Sequence, residues 1–376
     1  MPAFPLMVDG RLTKTKRMKK KRISLALQGG GAHGAFTWGV MEKLLEENVL
    51  DIRGFCGTSG GAITSALIVH GIQKNGTKGA IDLLKKFWKE LSISSFFIMP
   101  QASWVDNHVF YGNLDYSAPY RFFNSLTNYI APHQFNPLDV NPLRDILIRL
   151  IDFEELPKSR IKLFVSATKI KDGSCRVFSL PEITLNAVLA SACLPNLSKP
   201  IEVNGDLYWD GGYTGNPPMY PLIHGTDAKD ILLVQINPVR TDEVPSAPSE
   251  ITDRVNEISF NAALMAEMRM IHKGYDLDGK LTDTRFQIIP ADRWLKELNF
   301  SSTMNTSWEF LNRLRERGRE AATEWIEEEL SLVGKESSPI IADLFGHKEK
   351  VWAEEMIHQP ARHLKECPIG EDPCGD

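Results

Sequence analysis

The stretch at residues 52–69, IRGFCGTSGGAITSALIV, constrains the fold more than any other. Residues 52–56, with branched and aromatic side chains, suit a buried strand, and the Ala-rich apolar run at 62–69 suits a helix, so Ser59 falls at their junction. A serine on so sharp a turn needs small neighbours two positions either side, because strand and helix backbones approach there and a Cβ would clash. Gly57 and Gly61 meet that need. G-x-S-x-G is common in turns, but with a strand before it and a helix after it the pattern reads as a nucleophile elbow with Ser59 as the nucleophile.

Upstream, residues 23–27 (ISLAL) form a short predicted strand, followed by Gln28, Gly29, Gly30, Gly31, Ala32, His33 and Gly34. A helix is expected over 35–47, where Phe36, Val40, Leu44 and Leu45 recur at helical spacing. This βαβα opening calls for parallel strands with right-handed crossovers, hence an α/β fold: a mainly parallel sheet flanked by helices. The Gly run opens a helix, and its backbone N–H groups make an anion-binding element. Two uses compete for it. As a dinucleotide-binding turn it fits G-x-G-x-x-G, but that fingerprint wants an acidic residue ending the second strand, and Asp51 precedes that strand instead. As an oxyanion hole it needs only donors near the nucleophile, which adjacent parallel strands would supply, and this use is preferred.

Further along, helices are expected at 81–91, 141–151, 184–192, 251–271 and 308–330, with strands at 161–170, 175–180, 207–209, 231–236 and 286–289. The pair at 161–170 and 175–180 reads as a hairpin across Lys171-Asp172-Gly173. Residues 96–135 are dense in aromatic side chains and prolines; they form either an insertion with its own small core or a lid over an apolar pocket. Asp210 ends the short strand at 207–209 and precedes Gly211 and Gly212, which let the chain turn tightly. D-G-G alone marks a turn; combined with an elbow and a Gly-rich loop it supplies a carboxylate base for the serine.

Composition sets the class. Hydrophobic content of 43%, charged content of 24% and a net charge of -5 over 376 residues are those of a globular protein and give no sign of nucleic-acid binding. Five scattered cysteines without C-x-x-C spacing indicate neither a disulfide framework nor a zinc site and fit a reducing compartment. No signal-peptide core is evident, and no run reaches the ~18 apolar residues of a membrane span, so a cytoplasmic or peripheral membrane location is expected. The basic cluster from Lys14 to Arg22 either docks on anionic lipid or is a solvated arm. The expected organisation is a basic arm (1–22), a catalytic domain (23–290) containing the insertion (96–135), a helical extension (291–333) and a polar tail (334–376). That tail folds back, binds a partner or stays disordered.

Together Gly29 to Gly34 (GGGAHG), Gly57 to Gly61 (GTSGG), Asp210 to Gly212 (DGG) and the block Ala190 to Pro195 (ASACLP) resemble, in order and spacing, the patatin-like phospholipase family. The likeness covers about residues 23–236 and is weaker to about 330. It implies a three-layer α/β hydrolase of lipid acyl esters, of phospholipase A or lysophospholipase type, working through a Ser-Asp dyad. By position, Ser59 is then the nucleophile, Asp210 the base, and Gly29, Gly30 and Gly31 the oxyanion hole. Many relatives carry Arg or Lys where this chain has His33, so charge assistance there would depend on pH. No metal or organic cofactor is expected, the partner is a lipid ester with membrane contact at most peripheral, and oligomeric state is unreadable. The rivals are a Ser-Asp-His triad using His224, which follows Asp210 in the chain, acting on soluble esters, and a non-catalytic lipid- or nucleotide-binding protein.

Overall fold

The computed structural model describes residues 20–95, 100–241, 244–274 and 283–345. The expectations for the basic arm over 1–19 and for the tail over 346–376 lie outside them. The chain opens with β1 (Lys21–Leu27), α1 (Gly34–Glu47), β2 (Leu50–Gly57) and α2 (Gly60–Ser95). The two helices expected between 62 and 91 are arms of α2, which doubles back at Asn75 and Gly76, so that Gly71 lies against Ala80. Then come α3 (Trp104–His108), α4 (Ala118–Tyr129), α5 (Pro132–Phe135), α6 (Pro142–Leu150), β3 (Lys162–Lys169), β4 (Cys175–Ser179) and α7 (Leu185–Ser191). The chain continues through β5 (Ile201–Val203), β6 (Asp206–Asp210), α8 (Tyr220–Gly225), β7 (Asp230–Gln235), α9 (Pro248–His272), β8 (Arg285–Pro290), α10 (Trp308–Glu328) and α11 (Pro339–Phe345).

One sheet runs in the order β5-β6-β3-β2-β1-β7-β8, with β4 also paired to β3. Strands β3, β2, β1, β7 and β8 are mutually parallel, whereas β4, β5 and β6 join antiparallel at one end. The period of two along each strand divides the apolar side chains between two cores. Ile23, Leu25, Leu27, Leu232 and Val234 pack with α1, α2 and α10, while Ala26, Ile231, Leu233, Phe286 and Ile288 pack with α9 and α11. The result is three layers, as a sheet apolar on both faces requires.

Helices α1 and α10 meet at a pair of glycines. A Cβ on Gly39 would lie 1.9 Å from the Arg315 carbonyl oxygen, and one on Gly318 would lie 2.0 Å from that of Phe36. Arg315 closes the crossing with a two-pronged bond to the buried Glu42 (2.5 and 2.6 Å). Residues 334–345 also reach the body of the fold: Ile341, Leu344 and Phe345 of α11 enter the second core. The aromatic stretch is anchored to the chain at 297–313, where Asn305 donates to Asn107 Oδ1 (3.0 Å) and to the Gly112 carbonyl (2.9 Å), and Ser301 Oγ accepts the Leu114 N–H (2.7 Å).

Candidate active site

The first two parallel strands deliver the Gly loop and the elbow to one edge of the sheet, because Leu27 of β1 stands in register with Gly57 of β2. Ser59 turns the chain from β2 into α2 in the left-handed region (φ 54), where a side chain other than glycine's is strained. Close packing enforces that turn. A Cβ at Gly57 would lie 2.4 Å from the Gly61 carbonyl oxygen and one at Gly61 only 2.1 Å from that of Leu27. Thr58 then donates its hydroxyl to the Gly215 carbonyl (2.7 Å), tying the elbow to the turn after Asp210.

Asp210 comes from a strand that does not adjoin the one leading into the elbow. Its strand β6 is not a neighbour of β2 but lies beyond β3, antiparallel to it, with Asp210 opposite Ala167. The carboxylate is buried. Its Oδ1 accepts the Gly212 N–H at 2.7 Å, while Oδ2 is buried without a formed hydrogen bond. Burial pushes the carboxyl up to about 7, against smaller downward pulls from the Gly212 N–H and the Ser59 hydroxyl. Asp210 and Ser59 line one cavity, and Oδ2 is the carboxylate oxygen without a hydrogen-bond partner.

The three loop glycines are not equivalent. Gly29 donates its N–H to Asn216 Oδ1 at 2.7 Å, so that donor is spent, and only the N–H groups of Gly30 and Gly31 remain for an oxyanion. The Gly29 carbonyl accepts from Asn237 Nδ2 (2.8 Å) and Asn216 Nδ2 (3.3 Å). In a trans peptide the C=O and the following N–H point opposite ways, so this clamp fixes the direction of the Gly30 N–H. Gly30 and Gly31, but not Gly29, line the cavity that holds Ser59 and Asp210. Gln28 supports the clamp, its Oε1 accepting the backbone N–H groups of Ile236 (2.8 Å) and Asn237 (2.9 Å).

Neither histidine of interest behaves as a base for Ser59. His33 is buried and its pKa falls to about 4 for that reason, so the ring is neutral over the physiological range and brings no cation to the loop. Ser302 Oγ spends its own proton on the Asn299 carbonyl (2.7 Å) and therefore accepts from His33 Nε2 (2.7 Å). His224 is exposed at the end of α8, two residues before Thr226, whose hydroxyl bonds Ser24 Oγ midway along β1, and three before Asp227, which pairs with Arg22 at the start of that strand (3.3 Å). Asp227 pairs there with Arg53 (2.7 Å). That edge carries the strand starts, opposite the edge that carries Ser59.

The block at 190–195 explains itself here. Ser191 Oγ accepts the Ser59 N–H (2.9 Å) and the Cys193 carbonyl accepts the Asp210 N–H (2.8 Å), so one segment holds both halves of the pair.

The family model described as patatin-like phospholipase matches residues 25–223, more than half of the chain, from within β1 to within α8. The chain belongs to the patatin-like phospholipase family. Among curated proteins it is similar to the lysophospholipase NTE1 of Candida glabrata, 27% identical over 215 residues, covering 57% of this chain and 10% of that one. A second is that of Saccharomyces cerevisiae, 27% identical over 198 residues, covering 52% and 10%. The chain thus spans about a tenth of the length of these relatives. Among solved structures, VipD from Legionella pneumophila aligns at 16% identity and a TM-score of 0.39, over 82% of this chain and 67% of that one. ExoU of Pseudomonas aeruginosa, solved with SpcU, aligns at 17% and 0.31, over 81% and 53%.

Ser59, Asp210 and the Gly loop were legible as motifs of this patatin-like chain; Ser191, Asn216 and Asn237 were not singled out. Asn216, followed by Pro217 and Pro218, has the local pattern of a turn, and Asn237 merely follows a strand. Nothing in their local pattern marks a side chain that reaches back nearly two hundred residues or more to hold Gly29. Among the described residues no helix is long and apolar enough to cross a membrane.

Proposed function

We propose that the chain hydrolyses lipid acyl esters, of phospholipase A or lysophospholipase type, by acyl transfer to Ser59. Asp210 takes the hydroxyl proton as Ser59 Oγ attacks the ester carbon, and the carbonyl π pair moves onto oxygen, facing the N–H groups of Gly30 and Gly31. Collapse expels the alcohol, which takes the proton back from Asp210. Water, deprotonated by the same carboxylate, then attacks the acyl-enzyme and frees Ser59. The observation that carries this reading is the buried Asp210 carboxyl, raised to about 7 and with Oδ2 unpartnered beside a strained serine. A carboxylate at its ordinary pKa would be a poor base for an alcohol; one near neutrality is matched to the task.

The work is proposed to take place at a lipid surface without crossing it. Supporting this, the aromatic stretch exposes Trp104, Tyr116, Phe122 and Tyr129, side chains suited to an interface that is apolar on one side and wet on the other. A serine-directed fluorophosphonate tests the chemistry. The wild-type chain is expected to be labelled and to release fatty acid from a lysophospholipid in vesicles, and Ser59→Ala to do neither. Labelling that survives in the variant would place the nucleophile elsewhere.

A further inference from the structure

The cavity at Ser59 opens onto a second one. Leu194, Asn256, Phe260, Phe300 and Met304 line both, whereas Tyr120, Phe123 and Thr127 line only the second, a cavity of about 130 Å³. Tyr120, Phe123 and Thr127, with Asn124, stand at helical spacing and turn one face of α4 to the cavity; Phe122 and Tyr129, 72% and 89% exposed, mark the helix's other side. Phe260 of α9 forms the neck. It packs on the turn after Asp210, 2.2 Å from where a Cβ on Gly212 would stand, and its ring lies 5.0 Å from that of Tyr213.

The two flanks of Ser59 differ in charge. Among the described residues lining these two cavities the charged side chains are Asp210 and Glu257, both acidic. Glu257 also borders a separate groove that carries Arg240, Arg293 and Lys296 with Asp292; Arg240 pairs with Asp343 and Arg293 with Glu324. An anionic group therefore finds no counter-charge on the α4 side, where a hydrocarbon chain gains from burial against Phe123, Leu197 and Met304.

We propose that the acyl chain of the ester runs from Ser59 past Phe260 into the cavity between α4 and α9, where Phe123 and Thr127 set the length accepted, and that the alcohol portion leaves on the Arg240 side. This rests on Ser59 being the nucleophile. Each methylene that finds room in the cavity adds about fourfold to kcat/KM until the far wall is met, and none adds beyond it.

The test is a series of p-nitrophenyl esters from butanoate to hexadecanoate, set against acetates of short and long alcohols. Phe123→Trp removes room for about one methylene, so the ratio of long-chain to butanoate kcat/KM is expected to fall roughly fourfold or more. Butanoate itself should stay within about threefold, and the dependence on alcohol length should be unchanged. Phe123→Ala is expected to move the optimum to longer chains. Thr127→Met, on the same face of α4, makes the same prediction as Phe123→Trp should that variant fail to fold. An unshifted acyl profile in the folded variants, an equal loss for every ester, or a shift in alcohol-length dependence would each overturn the proposal while leaving Ser59 in place. Absence of hydrolysis and of fluorophosphonate labelling in the wild type would instead overturn the reading of Ser59, and the acyl site with it.

Discussion

The hydroxyl oxygen of Ser191 accepts the backbone N–H of Ser59 at 2.9 Å, across 132 residues of sequence. The bond holds the elbow peptide of a residue already in the left-handed region, so it fixes the direction from which Ser59 Oγ leaves the turn. Ser191→Ala removes the acceptor and leaves the N–H without it, which typically costs about 1–3 kcal/mol. We expect a lower melting temperature and a loss in kcat of up to roughly 10²-fold from a misplaced nucleophile, with KM little changed. A variant that melts earlier yet turns over normally would make the bond structural only.

On the proposed mechanism Asp210 sets the pH dependence of the reaction. The base form is the carboxylate, and burial raises its pKa to about 7, so kcat/KM for an uncharged ester is expected to rise with pH and level off above neutrality. Asp210→Asn should lose at least the roughly 10²–10⁴-fold that a general base supplies and show no such rise. A wild-type profile already flat from pH 5 upward would mean that the carboxyl titrates near its ordinary value and that burial does not tune it.

How far the site could be read in advance follows from where its parts lie in the chain. Gly57, Ser59 and Gly61 are a local solution to one steric problem, so five residues of sequence state it in full. The Gly loop is equally local, but the assignment of its donors is not. Gly29 was grouped with Gly30 and Gly31 because a glycine run does not show which N–H is spent, and the acceptor, Asn216 Oδ1, comes from the far side of the sheet order. The parallel core was legible because β1, β2 and β7 are short apolar runs between helices. Strand β5 was missed since three residues, Ile201 to Val203, carry too little pattern, and the antiparallel placement of β6 follows from pairing that no local period encodes. The role of the aromatic stretch stayed open between its own core and a lid. Its anchors on Asn305 and Ser301 lie almost two hundred residues downstream.

The histidines give a prediction of the opposite kind. His224 lies at the strand-start edge, so His224→Ala is expected to stay within about threefold of wild type in kcat/KM, well short of what loss of a general base costs. His33 is different: its neutral ring holds Ser302 and packs 6.4 Å from the Phe310 ring, beside the Gly loop. His33→Ala should reduce activity moderately by loosening that contact, without changing the shape of the pH profile above pH 5, where the ring is already neutral. A profile that loses its rise near 7 in His33→Ala would assign that titration to the histidine and not to Asp210.

Burying Asp210 also has a consequence for stability that separates its pKa from its chemistry. Its folded pKa of about 7 stands above the ordinary 3.8, so between those values the native state binds more protons than the unfolded chain. Stability from this group is therefore fully present below about pH 4 and is lost as pH rises through 7. The whole effect is on the order of 4 kcal/mol, taken from about three pH units at 1.36 kcal/mol each. Asn at this position accepts the Gly212 N–H with the same oxygen and never ionises. Asp210→Asn should thus melt close to wild type at pH 4 and progressively above it from pH 4.5 to 7, with the difference constant beyond, in denaturation monitored at fixed ionic strength. Because this readout needs no substrate, it checks the buried carboxyl independently of the reaction; equal melting of the two proteins at pH 8 would mean that Asp210 ionises in the folded state without penalty.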